Sequence, residues 1–305
     1  MKVLEKMLQD ATAGDPISGL KWTRKTTRKL AAELKRKEFQ VGHSTIPRLV
    51  RTLRYTLRSN QKRLSRKQDE RRDEQMRHLT RIRKLPVLSV DCKKKELIGQ
   101  FRNPGRTWRQ QPVQVLETDF PSDAKGKAVP YGIYDVGYNE GLMVVDVSHE
   151  TAEFAMIAIQ RWWLEVGQAR YPRCQHILLQ ADSGGANACD SWLWKAALQT
   201  LADRFGITIT VNHYPAGASK WNLIEHRMFC ILSQNCAGQP LDNYQTMLKY
   251  IRTSTTQTGF RCLAHFDRRN YQTKQKISSD EKANLNLQYY RLFPQWNYTI
   301  KPHGA

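Results

Sequence analysis

Residues 207–231 show the clearest alternation of apolar and polar positions in this 305-residue chain. Residues 207–211 read Ile-Thr-Ile-Thr-Val, the period of two that is typical of a strand with one buried face. Proline and glycine at 215–219 then interrupt regular structure. Apolar side chains next recur at spacings of three and four, which predicts one face of a helix formed by Trp221, Ile224, Met228 and Ile231. Glu225 therefore lies near the start of a predicted helix, just beyond the end of a predicted strand.

The same two periods predict a mixed order of strands and helices from residue 86 onward. Short apolar runs predict strands over residues 86–90, 131–136, 142–147 and 177–181. A hairpin turn at 137–141 is predicted to join the second and third of these strands. Helical spacing predicts two helices, over residues 151–166 and 191–205. Gly167 and Gly206 are predicted to end them. Residues 99–129 show no period and are predicted to be loop. Three successive strands followed by alternating helices and strands predict an α/β fold with a mixed sheet.

The first 60 residues have a different pattern, which predicts an all-α helix-turn-helix. Leu30, Ala31 and Leu34 share one face of a helix over 26–37, and Gly42 provides a turn. A second helix, with Ser44 as its N-cap, has an apolar face and an outer face that carries polar and basic side chains. An outer face of this kind is what a helix in a DNA major groove needs, and the candidate DNA contacts are Ser44, Thr45, Arg48 and Arg51. A two-helix hairpin with a basic surface and no DNA-binding role is the alternative.

The charge distribution divides the chain further. The net charge is +21, from 49 Lys and Arg against 28 Asp and Glu, and predicts a polyanionic partner. Roughly half of the basic residues precede Pro86. Residues 61–85 are dense in charges of both signs and are predicted to be a linker. The predicted domains are therefore 1–60, 61–85 and 86–305.

Two further features concern the compartment in which the protein works. No apolar run is long enough to cross a bilayer, and the N-terminus lacks the apolar core of a signal peptide, so no membrane association is expected. The six cysteines are scattered, without a pair at metal-binding or redox spacing, which favours free thiols in a reducing cytoplasm.

Three acidic residues stand at equivalent places in the predicted elements. Asp91 ends the strand of residues 86–90, Asp182 follows the strand of residues 177–181, and Glu225 begins the helix described above. Adjacent strand ends of a mixed sheet can bring such residues together. Clustered carboxylates repel one another unless they hold cations. Hard oxygen ligands suit Mg²⁺ or Mn²⁺, and a pair of such ions would support phosphodiester chemistry.

Five stretches of the chain carry a resemblance to a known family. They are VLSVDCKKKELIG at 87–99, VPYGIYDV at 129–136, LLQADSGGAN at 178–187, HYPAGASKWNLIEHR at 213–227 and WNYTI at 296–300. Together they resemble the DDE transposases of bacterial insertion sequences, most closely the Rhodopirellula-type transposase DDE domain family. KWTRKTTRKLAAEL, in the helix-turn-helix segment, is also similar to the N-terminal part of that family. Its relatives are expected to have more sequence before this segment.

The resemblance implies an RNase H-like, retroviral-integrase-like catalytic fold. It also implies metal-dependent cleavage at transposon ends and transfer of the 3′-hydroxyl to target DNA, by a homo-oligomer in the bacterial cytoplasm, associated with the nucleoid. The partners would be double-stranded DNA of the terminal repeats and of the target. Asp91, Asp182 and Glu225 would be the catalytic, metal-binding acids, with about two Mg²⁺ or Mn²⁺ ions.

Several assignments stay open at the level of sequence. Asp119 competes with Asp91 for the place of the first acid, although it lies in predicted loop. Lys220 and Arg227 are candidate DNA contacts, whereas Trp221 fits the buried face and His213 is more often structural. Two other functions remain as alternatives: an RNase H-like nuclease or resolvase without strand transfer, and a DNA-binding protein without catalysis.

Overall fold

The structure is a computed structural model that describes residues 2–10, 13–14, 21–22, 26–56, 70–81, 85–218 and 221–304. The chain divides into two compact units, Met1–Leu64 and Ser65–Ala305. Among the helices of the described ranges, none has both the length and the apolarity needed to cross a lipid bilayer.

The first unit consists of short helices around a small apolar core. Leu30 and Leu34, which are one turn apart, are buried together with Ile46 and with three residues of the first helix. Thr26 begins the second helix by accepting the backbone N–H of Lys29 at 3.2 Å. The elements are α1 (Lys2–Asp10), β1 (Ala13–Gly14), β2 (Lys21–Trp22), α2 (Thr27–Arg36) and α3 (Ile46–Thr52).

Helices α2 and α3 lie where the apolar spacing predicts them, but α3 begins differently. Its N-cap residue is Thr45 and not Ser44, and the Thr45 side chain makes no capping hydrogen bond. Pro47 in the first turn starts the helix instead, because its fixed φ suits a helical N-terminus. The assignment of Ser44 as N-cap is therefore wrong. The role of these helices as a DNA-binding helix-turn-helix stays a prediction.

The second unit contains a mixed sheet with helices on both faces. Its helices are α4 (Arg72–Arg81), α5 (Ala152–Trp162), α6 (Gln168–Arg170), α7 (Trp192–Phe205), α8 (Cys230–Asn235), α9 (Tyr244–Arg252) and α10 (Ser279–Ala283). Its strands are β3 (Val87–Cys92), β4 (Glu96–Ile98), β5 (Gly126–Asp135), β6 (Glu140–Asp146), β7 (His176–Ala181), β8 (Thr208–His213), β9 (Arg261–Phe266), β10 (Leu287–Tyr289) and β11 (Asn297–Ile300).

The strand order identifies the fold. Along the sheet the strands run β10-β11-β8-β7-β3-β5-β6-β9. In the central five, β5 is antiparallel to both β3 and β6, whereas β3, β7 and β8 are parallel. An antiparallel meander of β3, β5 and β6, followed by the two parallel strands β7 and β8 reached through helices, forms the RNase H-like arrangement. The predicted α/β, RNase H-like fold class is confirmed.

The two faces of this sheet are covered by different helices. Leu88 and Val90 point to one face, where they join an apolar cluster with Trp162 of α5 and Trp194 of α7. The opposite face is packed by a second cluster from the helix that carries Glu225 and from α9. Strand β3 is therefore covered on both faces, and its side chains that point away from α5 and α7 lie on the face that the Glu225 helix covers.

Residues 61–85 are not entirely a linker. Within them α4 packs against the rest of the second unit. The buried Gln75 of α4 donates through Nε2 to the carbonyl of His213 at 3.0 Å and to Asn297 Oδ1 at 2.7 Å. Leu79 packs against Tyr214. The dense charge of the segment suggested a solvated chain, but within α4 the charged side chains are mainly exposed while Gln75 and Leu79 are buried. The division between the compact units, at residues 64/65, falls inside the predicted linker, of which residues 61–69 and 82–84 lie outside the described ranges.

Gly167 does not end the helix that precedes it. The helix continues from α5 through a π-helical turn, Trp163–Gly167, into α6 and ends at Tyr171. A Cβ at position 167 would lie 2.6 Å from the Trp163 ring and 2.8 Å from the Trp162 ring. Glycine is therefore present because two indoles occupy the space, and not as a C-cap. Gly206, with φ of 62°, does end α7 as predicted.

Candidate active site

Asp91 and Asp182 leave two neighbouring parallel strands at the same edge of the sheet. In the register of β3 and β7, Val90 lies opposite Ala181, so the next residue on each strand is an aspartate. Asp91 is still within β3, and Asp182 directly follows β7. Register between strands that are far apart in the chain thus brings together the two acids that the sequence placed at strand ends.

Glu225 approaches the same place from the helix that crosses the sheet. Helical structure begins at Leu223, passes through the π-helical turn Glu225–Phe229, and continues as α8. Ile224 and Phe229 are buried against the sheet, so Glu225 is held at the first turn of a firmly packed helix. A π-helical turn is an uncommon conformation that occurs frequently at functional sites.

Gly132 allows this helix to come close to the strand of Asp91. In the β3–β5 ladder Gly132 is the direct partner of Asp91. A Cβ there would lie 2.6 Å from the Phe229 ring and 3.0 Å from the Ile224 side chain. The absence of a side chain at this position therefore sets the distance between the sheet and the helix that carries Glu225.

Replacing Gly132 by alanine should displace the Glu225 helix. We expect Gly132→Ala to lower the free energy of unfolding by about 1–3 kcal/mol, the usual cost of overpacking. DNA cleavage, the activity that the resemblance implies, should fall with it, measured alongside thermal denaturation. The double variant Gly132→Ala/Phe229→Leu, which removes ring atoms that the new methyl group would meet, should recover part of both losses. Wild-type stability and rate in the single variant would contradict this role of Gly132.

The acids stand in an environment that opposes their negative charge. Burial, followed by the neighbouring charge of Asp182, raises the pKa of Asp91 to about 8, and Glu225 and Glu150 contribute in the same direction. Burial raises the pKa of Asp182 to about 6, with further contributions from Glu150 and Glu225. Glu225 and Glu150 are therefore close enough for their charges to act on both aspartates.

Hydrogen bonds hold Asp91 but leave part of Asp182 unsatisfied. Asp91 accepts the backbone N–H of Cys92 at 2.7 Å and the Asn222 side-chain amide at 2.7 Å. Asp182 Oδ1 is buried and has no hydrogen-bond partner among the described residues. A buried carboxylate oxygen without a donor is a place where a cation would be stabilised.

The donor set fits a hard divalent cation only in part. Asp91, Asp182 and Glu225 offer carboxylate oxygens, which Mg²⁺ and Mn²⁺ prefer, and the orphaned Asp182 oxygen lies among them. Within the ranges that the structure describes, however, no three His, Cys, Asp or Glu side chains converge closely enough to form a complete metal site. The residue types therefore fit a hard divalent cation, but their arrangement in the described ranges is not that of a complete metal site.

Glu150 is a fourth carboxylate at this edge of the sheet and is not among the site residues that the sequence predicted. Its Oε1 accepts the backbone N–H of Ala186 at 3.1 Å, and its Oε2 is 3.1 Å from Lys95 Nζ. Gly185, with φ of 60°, leaves the space that Glu150 Oε1 fills, since a Cβ would lie 2.1 Å from it. Glu150 thus holds the turn after Asp182. No local pattern distinguishes it from an ordinary surface glutamate before a helix.

His213 is a structural residue of this site, as the sequence suggested. It is fully buried, and its two ring nitrogens lie 2.7 Å from the Asp182 carbonyl oxygen and 3.1 Å from the Tyr298 hydroxyl. Burial lowers the pKa of His213 to about 4, so the ring is neutral at physiological pH. His213 therefore fixes the backbone at Asp182 without adding charge.

The remaining predicted site residues lie in different settings. Asp119 is exposed in the loop between β4 and β5, whereas Asp91 lies among the other acids. Arg227 is exposed on the Glu225 helix, and Trp221 is 40% exposed, so its predicted place in the core is wrong. The Trp221 ring instead lies 5.3 Å from the Arg72 guanidinium. Lys220 lies outside the described residues. In the first unit, Ser44, Arg48 and Arg51 are exposed and Thr45 is half-buried.

Three solved structures show similarity at low sequence identity. "Crystal structure of the Mos1 mariner paired end complex with Mn" is 17% identical, with 82% of this chain and 69% of that chain covered and a TM-score of 0.45. "Mos1 transposase paired-end complex with left transposon end" is 13% identical, with 82% and 68% covered and a TM-score of 0.43. "Crystal structure of the mariner Mos1 paired end complex with Mg" is 14% identical, with 81% and 68% covered and a TM-score of 0.43. No curated protein matches the chain.

An RNase H-like sheet with acids at the ends of its first and fourth central strands defines a class of nucleic-acid-processing proteins. Within that class, the family described as "Rhodopirellula transposase DDE domain" matches residues 3–302. The chain belongs to this family, and the protein is a transposase of the DDE type.

Proposed function

We propose that this transposase cleaves the phosphodiester backbone at the ends of a mobile DNA element and joins the resulting 3′-hydroxyl to target DNA. Asp91, Asp182 and Glu225 are the acids that carry this chemistry. The observation that supports it most directly is the unsatisfied Oδ1 of Asp182, buried beside Asp91 at one edge of an RNase H-like sheet. A cation between these acids would offset both their repulsion and their burial.

The residues of this chain have separable tasks in the proposed reaction. Asp91 and Asp182 hold the metal from adjacent strands, and Glu225 adds a carboxylate from the crossing helix. His213 fixes the Asp182 backbone, and Glu150 fixes the turn that follows it. A bound Mg²⁺ or Mn²⁺ would supply activation of the attacking oxygen and charge stabilisation of the leaving oxygen.

The proposed DNA partners are the terminal repeats of the element and the target duplex. A net charge of +21 favours binding to phosphate, and the exposed Arg48 and Arg51 of α3 present basic groups to solvent. Arg227, exposed two residues after Glu225, is placed to contact DNA near the acids, and Lys220 precedes the same helix. Joining two ends requires their pairing, so the active form is a homo-oligomer on DNA in the bacterial cytoplasm.

The proposed function is tested by a strand-transfer assay with labelled DNA from the regions that flank the gene. In Mg²⁺ or Mn²⁺ the purified protein should convert these ends and a target plasmid into covalently joined products. Cleavage without joining would contradict strand transfer and identify a nuclease. Binding of the ends without cleavage in either metal would contradict the proposed chemistry altogether.

DNA recognition by α3 gives a separate prediction. Arg48→Ala and Arg51→Ala should each weaken binding to the element ends. Each should also reduce the slope of log affinity against log salt by about 1 if the arginine contacts one phosphate. Fluorescence anisotropy over a salt series measures both quantities. Arg36→Ala, an equal charge change on α2, is the matched control, and equal weakening there would show general charge attraction instead of recognition by α3.

A further inference from the structure

A buried chain of hydrogen bonds connects Asp91 to the helix that carries Glu225. Ser89 precedes Asp91 by two positions on β3, so both side chains point to the same face of the sheet. Asn222 lies just before the helical turn that begins at Leu223. Ser89 and Asn222 are 0% and 1% exposed, respectively, although both are polar.

Each polar atom in this chain has a partner that suits it. The Ile224 backbone N–H donates to Ser89 Oγ at 3.2 Å, and the Ser89 hydroxyl donates to Asn222 Oδ1 at 3.1 Å. The Asn222 amide then donates through Nδ2 to Asp91 Oδ2 at 2.7 Å. One end of the chain is therefore the backbone next to Glu225, and the other end is the Asp91 carboxylate.

The chemistry of the two side chains suits this connection. A serine hydroxyl accepts one hydrogen bond and donates another, and an asparagine amide accepts on one side and donates on the other. Alanine at either position would interrupt the chain. Aspartate at 222 would have the same shape but would place a second carboxylate against Asp91.

Burial of polar groups costs free energy unless they are hydrogen-bonded, and an apolar pair would fill the same space without that cost. A fully bonded polar pair that ends on a candidate metal ligand is therefore better explained by orientation of the acid than by core stability. Partners of this kind orient metal ligands in many proteins.

We propose that Ser89 and Asn222 are positioning residues, which fix the Asp91 carboxylate and the start of the Glu225 helix relative to each other. This inference rests on the proposed function, because it assumes that Asp91 and Glu225 are acids of the same metal-binding site. Like charges on Asp91 and Glu225 repel each other, so hydrogen bonds that join their two elements would keep the acids in a fixed arrangement.

The test compares Asn222→Ala, Asn222→Asp and Ser89→Ala with Asn212→Ala. Asn212 is a matched control: it is also fully buried in this sheet and donates an amide hydrogen bond, to Asn297 Oδ1 at 2.6 Å, without contact to an acid. The first measurement is hydrogen exchange of the Ile224 amide in the metal-free protein. The second is Mn²⁺ affinity by calorimetry at fixed pH, and the third is DNA cleavage as a function of metal concentration.

Ser89→Ala should speed exchange at Ile224 at least about tenfold through loss of its acceptor, while Asn212→Ala leaves it near the wild-type rate. Asn222→Ala should weaken Mn²⁺ binding about 10–100-fold, the usual effect of losing a partner of a metal ligand, and raise the metal concentration needed for cleavage. Asn222→Asp should be at least as impaired, because it keeps the shape and loses the donor.

Two results would overturn the positioning role. One is Mn²⁺ affinity in Asn222→Ala equal to that of Asn212→Ala. The other is recovery of wild-type metal affinity by Asn222→Asp, which would show that only shape matters at position 222. If wild type binds Mn²⁺ but neither cleaves nor joins DNA, the proposed function fails, while exchange and metal affinity still decide the role of Ser89 and Asn222.

Discussion

Replacement of Asp182 by asparagine should reduce cleavage and joining at least about 1000-fold, with little loss of DNA binding. The variant keeps the shape of the side chain but removes one negative charge from the place where the structure has an unsatisfied carboxylate oxygen. Three decades in rate correspond to about 4 kcal/mol, within the several kcal/mol that a metal supplies to a transition state. Asp91→Asn and Glu225→Gln should give losses of similar size. Gel assays for joined product and anisotropy for binding measure the two effects separately.

Asp119→Asn is the matched control for this series. Asp119 is exposed in the loop between β4 and β5, so its replacement should leave cleavage and joining within about twofold of wild type. If Asp119→Asn were inactive and Asp91→Asn active, the first acid would be assigned to the wrong residue. If all four variants retained activity, metal-dependent chemistry at this edge of the sheet would be excluded.

The metal-free protein should lose stability as the pH rises from 5 to 8. The pKa of Asp91 is raised to about 8 in the folded chain from about 3.9 in the unfolded chain, so between these pH values the folded state binds more protons. The contribution of Asp91 to stability is therefore present at low pH and is lost as the pH rises towards 8. Asp182, with a pKa of about 6, contributes in the lower part of the same range. We expect a loss of at least about 2 kcal/mol, or roughly 4–8 °C in Tm for a unit of this size, by calorimetry in chelator.

Removal of the Asp91 charge should remove most of the change in stability between pH 5 and 8. Asp91→Asn should flatten the change of Tm with pH in the metal-free protein, whereas Asp119→Asn should follow wild type. Saturating Mg²⁺ should raise the Tm of the wild-type protein at pH 8 above its value in chelator, since a ligand that binds the folded state stabilises it. A Tm of wild type that rises from pH 5 to 8 in chelator would contradict the unfavourable charge at this site.

Local sequence patterns predicted the individual elements well because most of the strands and helices concerned have a regular buried face. The strand before Asp182 and the helix ended by Gly206 follow directly from apolar period and glycine chemistry. The helix of Glu225 was predicted to begin at Trp221, but it begins at Leu223 and Trp221 is exposed. Spacing alone counts Trp221 as part of the apolar stripe, since it cannot tell which side of the chain the sheet covers.

The roles of two glycines also could not be predicted from local sequence. Gly167 resembles a helix stop in sequence, yet two tryptophan rings explain it. Gly132 has no local signal, although it sets how closely the Glu225 helix approaches Asp91. Both roles depend on bulky side chains that contact the glycine in three dimensions, which no short window of sequence contains.

The sequence by itself determined the family, the α/β character, the basic charge and the acids at strand and helix ends, because these follow from local period, composition and motifs. Only the tertiary structure decided that Asp91 and Asp182 are neighbours, that α4 folds on the second unit, and that Glu150, Ser89 and Asn222 surround the acids. The physical reason is that strand register and close packing join residues far apart in the chain, and those contacts leave no periodic trace in the sequence.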